Sequence, residues 1–265
     1  MSAVEAVLLG LVQGLTEFLP VSSSGHLAIA KHLFGIETGD LTFEILVHAA
    51  TVLATIVVFR KEILGLLRGL FRFRYNEETR YVAMIALSMI PVFVVGVFFK
   101  EKVEALFGGG LPVVGAALIA TALLLLASEG MAGRLRKTDK KMGFAAALWM
   151  GLAQAVAVIP GLSRSGSTIA AGLLCGVRRS EVAPFSFLMV LVPILGEALL
   201  DLAGGEMAAA SGIGTWPLVL GFLSAFVSGL FACRVMLSLV RRANLKWFAL
   251  YCALAGLACL FNLFM

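Results

Sequence analysis

The apolar positions of this chain fall in long runs, and crossing a bilayer takes about 17–25 such residues. Runs of that kind occupy Leu41–Phe59, Val82–Phe99, Val113–Ser128, Ala183–Leu200, Trp216–Phe231 and Lys246–Met265. The pattern predicts six full transmembrane helices. Aromatic and basic residues flank several of them, as in Phe59-Arg60-Lys61 and in Arg241-Arg242 followed by Lys246-Trp247, the arrangement expected at a membrane interface.

Two further apolar stretches, Ala3 to Phe34 and Gly143 to Cys175, are interrupted near the middle by Pro20 and Pro160 and then by residues rich in Ser and Gly. As continuous helix, 32 residues would extend about 48 Å, well past a hydrocarbon core of roughly 30 Å. A helix that enters, breaks and turns back fits better. The two stretches also resemble each other at an offset of about 141 residues. Gly10-Leu-Val-Gln13 matches Gly151-Leu-Ala-Gln154, Ser22-Ser-Ser-Gly25 matches Ser163-Arg-Ser-Gly166, Gly35 matches Gly176, and Phe43 matches Phe185 after one inserted residue.

The expectation is therefore an all-α polytopic membrane protein forming a single integral membrane domain over 1–265, built as an inverted-topology repeat of 1–130 and 141–265. Each half would hold one re-entrant helix hairpin and three full spans. An odd number of crossings turns the second half over, and such folds place their site near the midplane, where the broken helices meet.

Composition agrees: 60% hydrophobic and 14% charged residues exclude an ordinary soluble domain, in which apolar residues make up roughly 45–50% and charged ones about 25%. The net charge of +5 is explained by topology rather than by a nucleic-acid partner. If both hairpins are re-entrant, one face carries the segments 60–80, 130–142, 178–181 and 241–246, which hold sixteen of the 21 Lys and Arg residues. The other face has Lys31, Lys100 and Lys102, with Glu37, Asp40 and Glu206 nearby. The positive-inside rule makes the first face cytoplasmic and puts both termini and the site outside. Met1-Ser2-Ala3-Val4-Glu5 lacks the basic start of a cleavable signal peptide. Cys175, Cys233, Cys252 and Cys259 lie in apolar segments without CxxC spacing and read as packing residues.

The chemistry concentrates at the two breaks. The second reads PGLSRSGST, Pro160 to Thr168. Small residues leave backbone N–H groups exposed at the start of the following half-helix, and with hydroxyls and one guanidinium they make a nest for a phosphate or carboxylate. An unpaired Arg164 at this depth would cost about 2.5–3.5 kcal/mol, whereas Arg234 can snorkel toward the cytoplasmic interface. The first break supplies Glu17, Ser22, Ser23, Ser24, Gly25 and His26. Together they offer an anion clamp (Arg164, Ser163, Ser165, Gly166, Thr168), a metal-holding carboxylate (Glu17), a hydroxyl nucleophile and a base, the inventory of phosphoryl transfer on a lipid phosphate. Weaker candidates are Glu44 and His48, which at i, i+4 either line the site or pair with each other. Glu197 and Asp201 share that spacing and read as structural. Gln13 and Gln154 are expected to hydrogen-bond the broken backbone.

Gln13-Gly-Leu-Thr-Glu17, Ser22-Ser-Ser-Gly-His26 and Pro160-Gly-Leu-Ser-Arg-Ser-Gly-Ser-Thr168 resemble the hallmarks of the undecaprenyl-diphosphate phosphatase family linked to bacitracin resistance, an [E/Q]xxxE segment leading to a Ser-Ser-x-Gly-His turn and a PGxSRSxxT segment. The likeness extends through Phe43-Glu44 with His48 and through Phe185-Ser-Phe-Leu. The resemblance implies hydrolysis of undecaprenyl diphosphate to the monophosphate carrier lipid in a bacterial inner membrane, with Mg²⁺ or Ca²⁺. By position it makes Ser23 the nucleophile, His26 its activator, Glu17 the metal or acid–base group, and Arg164 and Thr168 phosphate-holding groups. Where many members have glutamate, this chain has Gln13, a neutral and weaker ligand. Type 2 phosphatidic acid phosphatases share only the Ser-Gly-His string. A polyprenyl phosphate transporter or flippase is the alternative that the architecture alone allows. The expected partners are the lipid diphosphate and the bilayer, with a homodimer left open.

Overall fold

In the computed structural model, residues 1–36, 42–134, 140–204, 213–242 and 244–261 are described. Among them the fold is entirely helical apart from one isolated bridge between Lys140 and Val177. The helices are α1 (Ala3–Thr16), α2 (Ser23–Leu33), α3 (Thr42–Val58), α4 (Arg60–Leu70), α5 (Glu77–Phe98), α6 (Lys100–Phe107), α7 (Gly110–Arg134), α8 (Phe144–Val156), α9 (Arg164–Leu174), α10 (Arg179–Gly204), α11 (Thr215–Arg242) and α12 (Lys246–Leu260).

Four of these contain stretches long and apolar enough to cross a membrane: Glu77–Phe98, Gly110–Met131, Arg179–Gly196 and Thr215–Val240. A fifth crossing arises if α3 and α4, bent by 73° at Phe59, count together. The run expected to end at Phe59 thus continues as a short helix, whose basic start at Arg60-Lys61 and apolar Ile63, Leu66, Leu67 and Leu70 make it amphipathic. Ile63 and Leu66 pack onto the core, while Leu64 and Leu67 are exposed. The last expected span is observed as a 15-residue helix. Leu41, Glu37, Asp40, Glu206, Arg136, Lys137, the side chains of Glu197 and Asp201, and residues 262–265 lie outside the described residues.

Both interrupted stretches are helix–break–helix units, α1 with α2 and α8 with α9, and the two helices of each unit pack together. Their ends are built alike. Ser22 Oγ accepts from Gly25 N at 3.2 Å and Ser163 Oγ from Gly166 N at 3.0 Å, so each half-helix is N-capped by its own break. Gly35 (φ +62°) and Gly176 (φ +78°) then close α2 and α9 in left-handed turns. The bonds Ile36 N to Lys31 O and Val177 N to Gly172 O are the six-to-one pairs of a Schellman cap.

Small residues set the closest approaches. Gly10 of α1 lies against Gly221 and Ser224 of α11, and Gly151 of α8 lies against Ser88 of α5. A Cβ on Gly115 of α7 would fall 2.8 Å from the carbonyl oxygen of Gly256 on α12, and a Cβ on Gly256 would fall 2.7 Å from that of Gly115. This contact is reciprocal between residues 141 apart. Cys233, Cys252 and Cys259 are buried in the packing and Cys175 is half-buried. Phe93, Val227, Phe231 and Leu254 face outward, as expected of surfaces solvated by lipid rather than water.

Candidate active site

The two breaks meet inside the bundle. Gly161 N donates to Ser24 Oγ at 3.4 Å, and Ser165 Oγ donates to the carbonyl oxygen of Leu19 at 2.9 Å. Ser24 and Ser165 occupy matching positions of the repeat, so each break reaches across to the other through the same serine. Gly25 and Gly161 allow this approach: a Cβ on Gly25 would lie 3.2 Å from Gly161 Cα, and Gly161 itself takes φ +86°.

Glu17 stands at the centre, immediately after α1, with a side chain 9% exposed. Its Oε2 accepts from Ser23 Oγ at 2.5 Å and from Gln13 Nε2 at 2.9 Å, and its Oε1 accepts from Arg164 Nη2 at 3.1 Å. His48 Nε2 on α3 is 3.7 Å from Oε2. The carboxylate therefore joins a hydroxyl from its own break to a guanidinium from the other. This pairing offsets the cost of placing either charge at this depth.

The hydroxyls around them are held in place. Ser163 N donates to Thr121 Oγ1 on α7 at 3.1 Å, Ser163 and Ser165 oxygens are 3.3 Å apart, and those of Ser22 and Ser24 are also 3.3 Å apart. Thr168 Oγ1 donates back to the carbonyl of Arg164 at 2.8 Å and lies 2.6 Å from Ser186 Oγ on α10. Ser22 adopts φ +71°, ψ +102°, whereas its counterpart Ser163 is relaxed at φ −73°. A non-glycine residue there stores strain of order 1–3 kcal/mol, and such residues cluster at functional sites. A cleft lined by Glu17, Arg164, Ser165 and Ser186 continues along apolar Phe187, Val190, Leu191 and Ile194 of α10.

Residues 6–258 match the family described as Bacitracin resistance protein BacA. This chain belongs to the BacA family. It is 55% identical over 262 residues to the undecaprenyl-diphosphatase of Bacteroides thetaiotaomicron, covering 97% of this chain and 98% of that protein. It is also 55% identical over 261 residues to that of Parabacteroides distasonis, covering 97% of each, and 39% identical over 263 residues to that of Carboxydothermus hydrogenoformans, covering 98% and 97%. Like its apolar helices, BacA membership makes this a multi-pass membrane protein.

Within this BacA-family chain, Glu17, Ser23 and Arg164 come together as one bonded group, with Ser22, Ser24, Gly25, Ser163, Ser165, Gly166 and Thr168 around it. His26 is placed differently from its expected position as activator of Ser23. Its Nδ1 bonds the carbonyl of Ser22 at 2.7 Å and its Nε2 bonds Tyr251 Oη at 2.6 Å, while the group bonded to Ser23 Oγ is Glu17. The candidates Glu44 and His48 part company. Glu44 takes an ion pair from Lys31, and His48 turns its Nε2 to Glu17 while its Nδ1 bonds the carbonyl of Glu44 at 2.8 Å. Gln13 bonds Glu17 rather than broken backbone, and the buried amide of Gln154 has no hydrogen-bond partner among the described residues.

Ser186 stood in the sequence only as part of Phe185-Ser-Phe-Leu, without a role, and Thr121 and Tyr251 were not singled out. Their only signal is polarity within an apolar run, which many structural hydroxyls share. For a cation the donor set is lean: no group of three or more His, Cys, Asp or Glu side chains able to hold a metal gathers among the described residues. Glu17 and the buried, unpartnered Oε1 of Gln13 nevertheless offer two oxygens. That suits an ion such as Mg²⁺, which is commonly held by one or two carboxylates and completed by substrate phosphates.

Proposed function

We propose that this chain hydrolyses undecaprenyl diphosphate to undecaprenyl phosphate and inorganic phosphate, recycling the cell-wall carrier lipid and so conferring resistance to bacitracin. The observation that carries this reading is Glu17 bridging Ser23 and Arg164, at 2.5 and 3.1 Å. A transporter needs an anion clamp but has no use for a serine hydroxyl already bonded to a base.

In this reading the terminal phosphate lies against Arg164 and the N-termini of α2 and α9, whose N–H groups and dipoles favour anions. Ser23 Oγ attacks phosphorus as its proton passes to Glu17. The P–O bond to the lipid monophosphate breaks, and that product leaves with the bridging oxygen. Water then cleaves the serine phosphate. His26, fixed beside Ser22, orders the turn that carries Ser23. Glu17 and Gln13 would hold the Mg²⁺ or Ca²⁺, which when bound neutralises phosphate charge. The apolar continuation of the cleft on α10 suits the start of a polyprenyl tail.

The finer architecture belongs to the same proposal: an inverted repeat of 1–130 and 141–265, with six spans and two re-entrant hairpins. The reciprocal Gly115–Gly256 contact and the matched caps of α2 and α9 support it. The sorting of sixteen of 21 basic residues to one face supports termini and site on the outer side. The test is phosphate release from a polyprenyl diphosphate by purified protein, with and without chelator. Release that stops with chelator supports the reading. Absence of release from folded protein that still binds the lipid would favour the transporter.

A further inference from the structure

Tyr251 is one of three tyrosines in the chain and meets His26 from 225 positions away, on α12. Two separate contacts join them. Tyr251 Oη lies 2.6 Å from His26 Nε2, and the rings stack with an interplanar angle of 14° and centroids 5.4 Å apart. On the other side of the imidazole, Nδ1 is 2.7 Å from the carbonyl oxygen of Ser22. A carbonyl can only accept, so Nδ1 carries the hydrogen; Nε2 of the neutral ring is then the acceptor and the tyrosine hydroxyl donates to it.

The ring is thus tied at both nitrogens and along its face. Tyr251 is 47% exposed, between exposed Leu250 and Leu254 on an apolar face of α12. His26 is the partner that the structure gives this hydroxyl. The carbonyl on the far side belongs to Ser22, the residue strained at φ +71° directly before Ser23.

We propose that Tyr251 is a positioning residue for His26. The Ser22 carbonyl sets the Nδ1–H tautomer, and Tyr251 holds the ring in place, with its hydroxyl at Nε2 and its ring along the imidazole plane, so the second half of the chain orients the histidine of the first break. The proposal rests on the phosphatase reading for its kinetic consequence, but the pairing itself does not. Tyr251→Phe keeps the stack and removes the hydrogen bond, and Tyr251→Leu removes both.

The experiment measures histidine ring ¹⁵N shifts in detergent-purified protein, with the His26 signals assigned by their loss in His26→Ala, together with kcat and KM for phosphate release from a polyprenyl diphosphate. Wild type should show His26 as a single neutral Nδ1–H tautomer. Tyr251→Phe should move the Nε2 resonance and lower kcat about 3- to 10-fold, with KM within about twofold. Tyr251→Leu should lower kcat further. Adding Tyr251→Phe to His26→Ala should cost nothing beyond His26→Ala, since a positioning residue acts only through the group it positions.

An unmoved Nε2 resonance in Tyr251→Phe, or losses that multiply in the double variant, would overturn the proposal. If wild type releases no phosphate, the phosphatase reading falls by itself, and the tautomer measurement alone then supports or overturns the pairing.

Discussion

Removing one member of the Glu17–Arg164 pair should harm the fold more than removing both. Breaking a fully buried ion pair costs about 3–5 kcal/mol, because an uncompensated charge remains. Here Arg164 keeps 25% side-chain exposure and Glu17 9%, and Glu17 retains bonds from Ser23 and Gln13. A cost of about 2 kcal/mol for Arg164→Gln is the resulting expectation, equivalent to roughly 4–8 °C in Tm for a chain of this size. Glu17→Gln alone should cost a similar amount, since Arg164 loses its anion. The double variant Glu17→Gln with Arg164→Gln places two amides where two charges stood and should melt no lower than the worse single variant. Thermal unfolding of the four proteins in one detergent closes this cycle. Additive losses would refute the reasoning, because they would mean that the two charges do not compensate each other.

Ser22→Gly should raise Tm, since relief of the positive φ outweighs the few tenths of a kcal/mol between serine and glycine as a cap; Ser163→Gly, which relieves no strain, should lower it. Gly256→Ala should lower Tm by roughly 2–12 °C, corresponding to an overpacking cost of about 1–3 kcal/mol, because its Cβ would lie 2.7 Å from the Gly115 carbonyl oxygen and 2.8 Å from Ile119 Cγ1. Gly65→Ala, which meets open space on α4, is the control that should be neutral or stabilising. Titrating Mg²⁺ or Ca²⁺ back into chelated protein should restore phosphate release, and Gln13→Leu should weaken the apparent cation affinity about tenfold; an unchanged titration would remove Gln13 from the cation's surroundings.

The recurring motifs were legible because close backbone approach and chain breaks require particular residues. Gly10 with Gly151, Gly35 with Gly176, and the two Ser-x-x-Gly turns recur at one offset and serve alike as close contacts, helix ends and helix starts. The candidate site was legible as an inventory, since a carboxylate and a guanidinium within apolar sequence need a reason to be there. The pairings within it were not. Residue types cannot tell whether Ser23 bonds His26 or Glu17, because that depends on how the chain turns at Ser22 and on a tyrosine more than two hundred residues away. The bend between α3 and α4 was hidden for another reason. Apolar length marks where a run ends at Phe59, but only the packing of Ile63 and Leu66 onto the core shows that a helix follows. The short helix Lys100–Phe107 escaped in the same way, since its charged residues form no apolar run.

The central claim is that the two breaks form one catalytic site, and turnover by Glu17→Ala, Ser23→Ala and Arg164→Ala beside wild type tests it most directly. With each variant shown to be folded and to bind a polyprenyl diphosphate, phosphate release should fall at least about a thousandfold in all three, as expected when nucleophile, base and charge clamp act as a unit. Near-normal release by Arg164→Ala would contradict a composite site, and near-normal release by Ser23→Ala would contradict attack by the serine.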